Sequence, residues 1–422
     1  MTGERHSDGS TPDQVRDDVR AWLLANWDPE MALGAWRDAL ADSGWGCPTW
    51  PIEWLGRGLP NELAAVVRTE FERVGAVGVA AGAGMNLVAP TLLRHGSDDV
   101  KARLLRPIVT GRDRWCQLFS EPGNGSDLAG LTTRAERDGD EWVVNGQKVW
   151  TTNAHMADYG MLLARTDWDV PKHRGITWFA FPMRQAGVEV RPLVQMNGRS
   201  SFNEVFLTDA RVPHANVVGE VGGGWAVAQT TLAHERGLGA QRGDRASNPT
   251  GRTAIEAAAE AADYNRTYEW YPQRAGRPDL LVPQLRATGR ADDALARQLV
   301  ARTRTLAEVA RWNVERAAAA RAQGRSPGPE GSLAKLSGSN IARACASVHA
   351  QLAGADAMLT GPTSVLDGIV AEIIVSVPGG SIAGGTDEIQ HNIIGERSLG
   401  LPREPSLDAD VPFREVRTNR RG

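Results

Sequence analysis

Residues 115–152, WCQLFSEPGNGSDLAGLTTRAERDGDEWVVNGQKVWTT, decide how this chain is read. Apolar and β-branched residues recur here at a period of two, which predicts strands. Asn145-Gly146 stands between two short apolar runs, a pair that predicts a tight β-hairpin at that point. The turn EPGNGSD (121–127) offers consecutive backbone N–H groups from Gly123 to Ser126. With the Ser120 and Ser126 hydroxyls, such a nest binds an electron-rich ring edge or a phosphate; an ordinary polar turn has the same composition. Trp150-Thr151-Thr152 follows, an aromatic face and then two hydroxyls.

Working outward, ITWFAF (176–181) and VEVRPL (188–193) continue the strand pattern, so residues 115–217 read as a compact β-domain. Before it the period is helical: Trp22, Leu23 and Trp27, then Leu63, Val66, Val67 and Phe71. Between those two runs GWGCPTWPIEWLGRGLP (44–60) must be a loop. After GEVGGGW (219–225), which reads as a domain linker, the helical period returns. Leu295, Leu299, Leu306 and Val309 form one stripe of a partly solvated helix. SPGPEG (326–331) breaks it, and the next helix buries Leu333, Leu336, Ile341, Cys345, Val348 and Leu352. Residues 403–422 read as an extended tail.

A chain of 422 residues implies two to three domains. Lys plus Arg is 47 against 51 for Asp plus Glu, a balance that argues against a nucleic-acid binder. Three scattered cysteines (Cys47, Cys116, Cys345) form no CxxC pair, which suits a reducing cytoplasm. The polar N-terminus has no apolar signal core. Val74–Leu93 carries no charge over twenty residues, but its four glycines, Asn86, Pro90 and Thr91 predict a closely packed buried helix rather than a membrane span. The eight histidines form no HxxH or HExxH, so no metal site is expected. GxSxG and GxxxxGK[ST] are absent, and Cys116 reads as a buried inert thiol.

GGSIAGGTDEIQHN (379–392) places a glycine-rich turn before a helix capped by Thr386, with Glu388 in its first turn; a helix N-terminus favours an anion such as a pyrophosphate. SEPGNGSDLAG, NGQKVWTT and GGTDEIQHNIIGERSLGLPR, in this order and spacing, resemble the acyl-CoA dehydrogenase family. The likeness runs from the N-terminal helices to the tail EPSLDADVPF. The tail and WGCPTWP resemble actinobacterial members, several of which act on bulky acyl groups. The resemblance implies an α+β multidomain fold: an N-terminal helical domain (1–114), a middle β-barrel-like domain (115–217), a C-terminal four-helix bundle (218–402) and the tail, usually assembled as a tetramer. It implies FAD, contacted by Gln117, Phe119, Ser120, Gly125 and Ser126, by Trp150, Thr151 and Thr152, and, in a neighbouring subunit, by Gly385, Thr386, Asp387 and Glu388. Ser126 and Arg236 resemble positions that contact the acyl-CoA.

The implied reaction oxidises an acyl thioester to its 2,3-enoyl product and needs a carboxylate base. Many family members place that Glu immediately before the GT of the third motif, where this chain has Gly384. A subset supplies it from an early helix of the C-terminal domain; in TTLAHERGLGAQ (230–241) Glu235 matches that position, although a surface carboxylate has the same local sequence. Two further departures stand out: RTYEWYPQRAGRP (266–278) replaces the family's Arg-x-x-Phe-Gly, and QLAGA (351–355) replaces its Gln-x-x-Gly-Gly. Family enzymes exist in which two different subunits share these contacts. The expected partners are therefore an acyl-CoA, an electron-transfer flavoprotein, and either identical subunits or a second acyl-CoA dehydrogenase-like chain. A flavin oxidase or monooxygenase on the same fold, or a non-catalytic partner subunit, are the alternatives. Gly78, Ala81, Gly82 and Gly84 imply either the close approach of another helix or, in the reading that predicts a bulky acyl group, room for the ligand.

Overall fold

The computed structural model describes residues 11–237, 250–322, 328, 330–405 and 408–416. Five helices come first: α1 (Pro12–Asn26), α2 (Leu33–Ser43), α3 (Asn61–Val74), α4 (Ala89–His95) and α5 (Asp98–Thr110). Local chemistry sets their ends. At α1, the Gln14 amide donates to the Thr11 hydroxyl while the Thr11 amide donates to the Gln14 side chain, a reciprocal cap. Helix α5 starts at Ser97, which accepts from the Val100 amide, and stops at Gly111 in the left-handed region. Trp36 and Leu40 centre the apolar core that α1–α3 share.

The strands follow: β1 (Trp115–Leu118), β2 (Arg134–Asp138), β3 (Glu141–Thr152), β4 (Tyr159–Arg165), β5 (Ile176–Pro182), β6 (Val188–Leu193), β7 (Phe202–Pro213) and β8 (Val217–Val218). They form one mixed sheet in the order β6-β7-β3-β2-β4-β5-β8, with β1 parallel to β4. The curled sheet encloses Val144, Leu162, Phe179, Phe181 and Val205. Its other face, with Met161, Leu163 and Trp178, packs against α4, α5 and the next helix, so the site-bearing strands are fixed between two apolar layers.

The C-terminal part holds α6 (Gly224–Gly237), α7 (Arg252–Asn265), the short α8 (Tyr271–Arg274) and α9 (Leu281–Ala287), the long pair α10 (Ala294–Ala322) and α11 (Glu330–Ala353), then α12 (Ile369–Ser376), α13 (Pro378–Ile382) and α14 (Asp387–Ser398). Helix α11 is its centre, with Cys345, Val348 and Leu352 buried against Leu281, Leu285 and Ala296. The run Val365–Ser398 is long and apolar enough by composition to cross a membrane. It is not one helix: Leu366 and Asp367 are left-handed, and residues 383–386 form a turn before α14.

Three expectations are corrected. The hairpin turn lies at Gly139-Asp140, since Asp138 pairs with Glu141, and β3 runs straight through Asn145-Gly146. There Asn145 alone faces Thr208 and Asp209 of β7, a bulge closed by reciprocal hydrogen bonds between the Asn145 side chain and Asp209 at 2.9 and 3.0 Å. Val74–Leu93 is not one helix: α3 ends at Gly75 (φ +68°), a loop follows, and a π turn (Gly84–Val88) leads into α4. On α10, Leu295 and Val309 are exposed while Ala296 and Thr303 face the bundle, so the inward stripe is rotated from the predicted one. Within the tail, Phe413 is buried on the β-domain.

Candidate active site

Two of the three motif segments are stapled together. The Val149 amide donates to the Ser120 carbonyl at 2.9 Å, and Lys148 Nζ donates to the Phe119 carbonyl at 3.1 Å and to Glu121 at 3.0 Å. Glu121 also accepts from the amides of Thr132 and Thr133 and from the Thr132 hydroxyl, at 2.7–2.9 Å. Burial pushes the Glu121 carboxyl up, but the Lys148 ammonium and these donors overcome it and hold it at about 2. Neither Glu121 nor Lys148 was singled out in the sequence. The signal was there: a lysine inside an otherwise strand-forming run must bury its charge or interrupt the strand.

Just past this staple, Val149 and Trp150 form a bulge in β3, between the Lys148–Val205 and Thr151–Asn203 pairs. Trp150 adopts φ +63°, is 55% exposed, and meets Phe202 edge-on at 5.8 Å. An exposed indole rules out an ordinary core aromatic. Thr152 is half-buried. Thr151 faces inward, and its buried hydroxyl has no hydrogen-bond partner among the described residues. Phe119 is also core, so only the main chain of Phe119 and Thr151 can meet a ligand. The turn after Glu121 closes through paired Glu121 and Asn124 backbone hydrogen bonds at 3.0 Å. Beyond it Gly125 and Ser126 are exposed, and a Cβ at Gly123 or Gly125 would meet none of the described residues within 4 Å.

Helix α6 brings the candidate base to this surface. Its first residue, Gly224, lies so close to β5 that a Cβ there would sit 2.6 Å from the Trp178 nitrogen. Further along, Ala228 is buried, Thr231 meets Thr91 of α4 at 3.0 Å, and Thr230 meets His95 at 2.8 Å. Residues 228, 231 and 235 share one helix face, so the packing that buries Ala228 and Thr231 turns Glu235 inward. Its carboxylate accepts from Gln117 Nε2 at 3.3 Å. Glu235 is therefore half-buried and tied to β1, not a solvated surface carboxylate. The backbone of Arg236 is in α6, but its side chain lies outside the described residues, as do residues 238–249.

The third segment sits in the C-terminal bundle. Thr386 caps α14 by accepting from the Ile389 amide. Asp387 is buried and held by Lys335 at 2.8 Å and Arg343 at 2.6 Å. Against the upward push of burial, hydrogen bonds headed by that from Lys335 bring Asp387 down to about 2. That carboxylate anchors the turn to α11. Gly384 (φ +68°) and Gly385 (φ +84°) are left-handed, and their carbonyls accept from Gln390, while Glu388 is exposed. The described hydrogen bonds of Thr386 and Asp387 run within the bundle, so one chain does not join this segment to Trp150.

These three segments, on a helical–β–helical frame, define an acyl-CoA dehydrogenase. The family's N-terminal, middle and C-terminal domain descriptions match residues 12–112, 116–210 and 282–399, so the chain belongs to the acyl-CoA dehydrogenase family and is an enzyme of that class. It is 35% identical over 415 residues to acyl-CoA dehydrogenase IpdE1 of Mycobacterium tuberculosis, covering 93% of this chain and 98% of that protein. With acyl-CoA dehydrogenase FadE34 of the same organism it shares 37% over 373 residues, 86% of this chain and 46% of that longer protein. Among solved structures it resembles the ChsE4-ChsE5 complex from Mycobacterium tuberculosis (28% identity, TM-score 0.61, covering 96% and 100%). It also resembles a Tcur3481-Tcur3483 steroid acyl-CoA dehydrogenase variant (27%, TM-score 0.62, 93% and 99%).

Proposed function

We propose that this chain binds FAD and oxidises an acyl-CoA thioester to the trans-2,3-enoyl-CoA, with Glu235 as the base. The residues present fit a flavin ring. A flat exposed indole lies beside hydroxyl, carboxamide and backbone N–H donors, which match the acceptor-rich edge of an isoalloxazine. When bound, FAD supplies the electron sink, taking the β-hydrogen as hydride at N5. Trp150 would cover one face of the ring, the Thr152 hydroxyl would sit near its reactive edge, and Gln117 with the Ser120–Ser126 turn would hold its polar rim. Ser126 and Arg236 would meet the acyl-CoA. Glu235 would take the α-proton, and the hydrogen bond from the Gln117 amide would orient its carboxylate.

The observation that carries this reading is the Gln117–Glu235 hydrogen bond, which brings a carboxylate from α6 to the strand of the first motif while the alternative position is Gly384. Glu235→Gln keeps the shape and removes the proton acceptor. We expect the variant to stay yellow with bound FAD and to lose at least about a hundredfold in turnover, the scale of general-base catalysis. Retention of more than a tenth of wild-type turnover would show that another group is the base.

The substrate we propose is a bulky, ring-bearing acyl-CoA, supported by the resemblance to a steroid acyl-CoA dehydrogenase. Gly82 and Gly84 do not supply the room for it. A Cβ on Gly82 would be 3.0 Å from Tyr264, and one on Gly84 3.2 Å from Ile108 and 3.3 Å from Trp115. The cleft beside them, between residues 80–85, Trp115, Asn153 and Tyr264, holds about 40 Å³, water-sized space. A higher kcat/KM for a steroid side-chain thioester than for butyryl-CoA, with electron-transfer flavoprotein as acceptor, is the expected result.

A further inference from the structure

The C-terminal tail is docked on the β-domain by contacts that converge on one place. Phe413 is 2% exposed and lies under the Arg165 guanidinium, 3.4 Å from the ring centre. The Phe413 and Arg414 amides donate to the Val170 and Trp168 carbonyls at 2.9 and 3.0 Å, adding a short extra pairing beside the loop that follows β4. Asp408 accepts from Lys172 at 3.0 Å.

Both side chains that receive the tail also hold the first motif. Lys172 Nζ, besides Asp408, donates to both carboxylate oxygens of Asp127 at 3.2 and 3.3 Å. Asp127 directly follows Ser126. Arg165, fully buried, donates to the carbonyls of Ala129 at 2.6 Å and Leu131 at 3.1 Å. Gly130 between them is in close contact with the turn: a Cβ there would lie 2.7 Å from the Asn124 side chain and 2.9 Å from Asp127. A buried guanidinium needs all its acceptors and its ring face in register, so loss of the Phe413 ring frees Arg165 to move, and Ala129–Leu131 with it.

We propose that the tail segment Asp408–Val416 is a strap that positions the cofactor- and substrate-facing turn Gly123–Asp127, acting through Lys172 and Arg165 as positioning residues. Two routes serve it, one electrostatic (Asp408–Lys172–Asp127) and one by packing (Phe413–Arg165–Ala129/Leu131). The role assigned to the turn rests on the function proposed above; the mechanical coupling does not. The strap restrains backbone N–H groups that a ligand needs in fixed directions, so its loss weakens binding more than the chemical step.

The test uses the full chain purified with FAD. Asp408→Asn and Phe413→Ala should each speed amide exchange at residues 123–131 and raise KM for the acyl-CoA about tenfold, the size of one lost charge-assisted contact, with kcat within about twofold of wild type. Asp408→Glu should restore both. Arg414→Ala, which breaks the surface pair with Asp169, should leave exchange and KM unchanged. Asp408→Asn is a near-isosteric change at a half-buried site, so it carries the test even where Phe413→Ala fails to fold. Wild-type exchange at 123–131 in Asp408→Asn, or an equal effect from Arg414→Ala, overturns the strap. Faster exchange in a protein whose wild type oxidises no acyl-CoA would instead overturn the proposed function and leave the strap standing.

Discussion

Lys148 and Glu121 show how single residues hold the site. Their ion pair is buried at both ends, and it joins the turn that follows β1 to the strand carrying Trp150. Removing one partner of a buried pair leaves an uncompensated charge, which costs about 3–5 kcal/mol. Lys148→Met should therefore lower unfolding stability by about that amount in guanidinium chloride. The pH dependence has a definite sign. Glu121 falls from 4.5 to about 2 on folding, so its stabilisation is complete above pH 4.5 and is withdrawn as pH drops towards 2. Asp387 acts in the same direction through Lys335 and Arg343. Acid titration of stability should show a fall across that window, and Glu121→Gln should make it shallower. An unchanged slope would mean that Glu121 is not ionised in the folded protein.

Among elements, α6 and the segment 75–88 matter most. Helix α6 presents Glu235 to Gln117 because Gly224 allows contact with β5 and Thr231 anchors it to α4. The glycines of 75–88 serve backbone geometry and close approach. Gly82 has φ +117°, which side-chain-bearing residues rarely adopt, and a Cβ there would press on Tyr264. Gly82→Ala should cost about 1–3 kcal/mol in a denaturant melt, the price of a strained backbone position, and reduce turnover of short and bulky thioesters alike. Selective loss of bulky substrates only would restore the pocket reading of this segment. The same reasoning explains the misplaced hairpin. Asn-Gly tolerates left-handed turns, but here Asn145 closes a bulge with Asp209 and Gly146 yields to Thr133, whose Oγ1 would be 2.5 Å from a Cβ.

At the scale of the whole molecule, the third motif is held within the C-terminal bundle, with Thr386 and Asp387 bonded there. We propose that its glycine turn meets the FAD of another subunit, and that the exposed Leu295, Val309 and Trp312 of α10 contribute to assembly. A second acyl-CoA dehydrogenase-like chain is the partner proposed, in line with the paired chains named for the similar solved structures. Co-expression with such a chain should give a yellow complex in size-exclusion chromatography and raise FAD retention above that of the chain alone. A chain that retains FAD fully by itself, as a monomer, would count against shared contacts.

The sequence by itself determined the order of helical, β and helical parts, because the apolar period switches from 3.6 to 2 and back, and periodicity is local. Its motif order determined the family, and the glycine at 384 excluded one position for the base. Tertiary structure alone decided what those local signals leave open. Whether Glu235 is solvated or aimed at β1 depends on which face of α6 packs, and β5 and α4 set that, the Thr91–Thr231 contact spanning 140 residues of chain. Whether a glycine makes room or makes contact depends on Tyr264 and Trp115, which no local pattern brings together. The tail reads as polar and extended because its few apolar residues, Phe413 among them, are scattered between charges and prolines. Only the folded β-domain supplies the Arg165 guanidinium that covers its ring and the carbonyls that pair with its backbone.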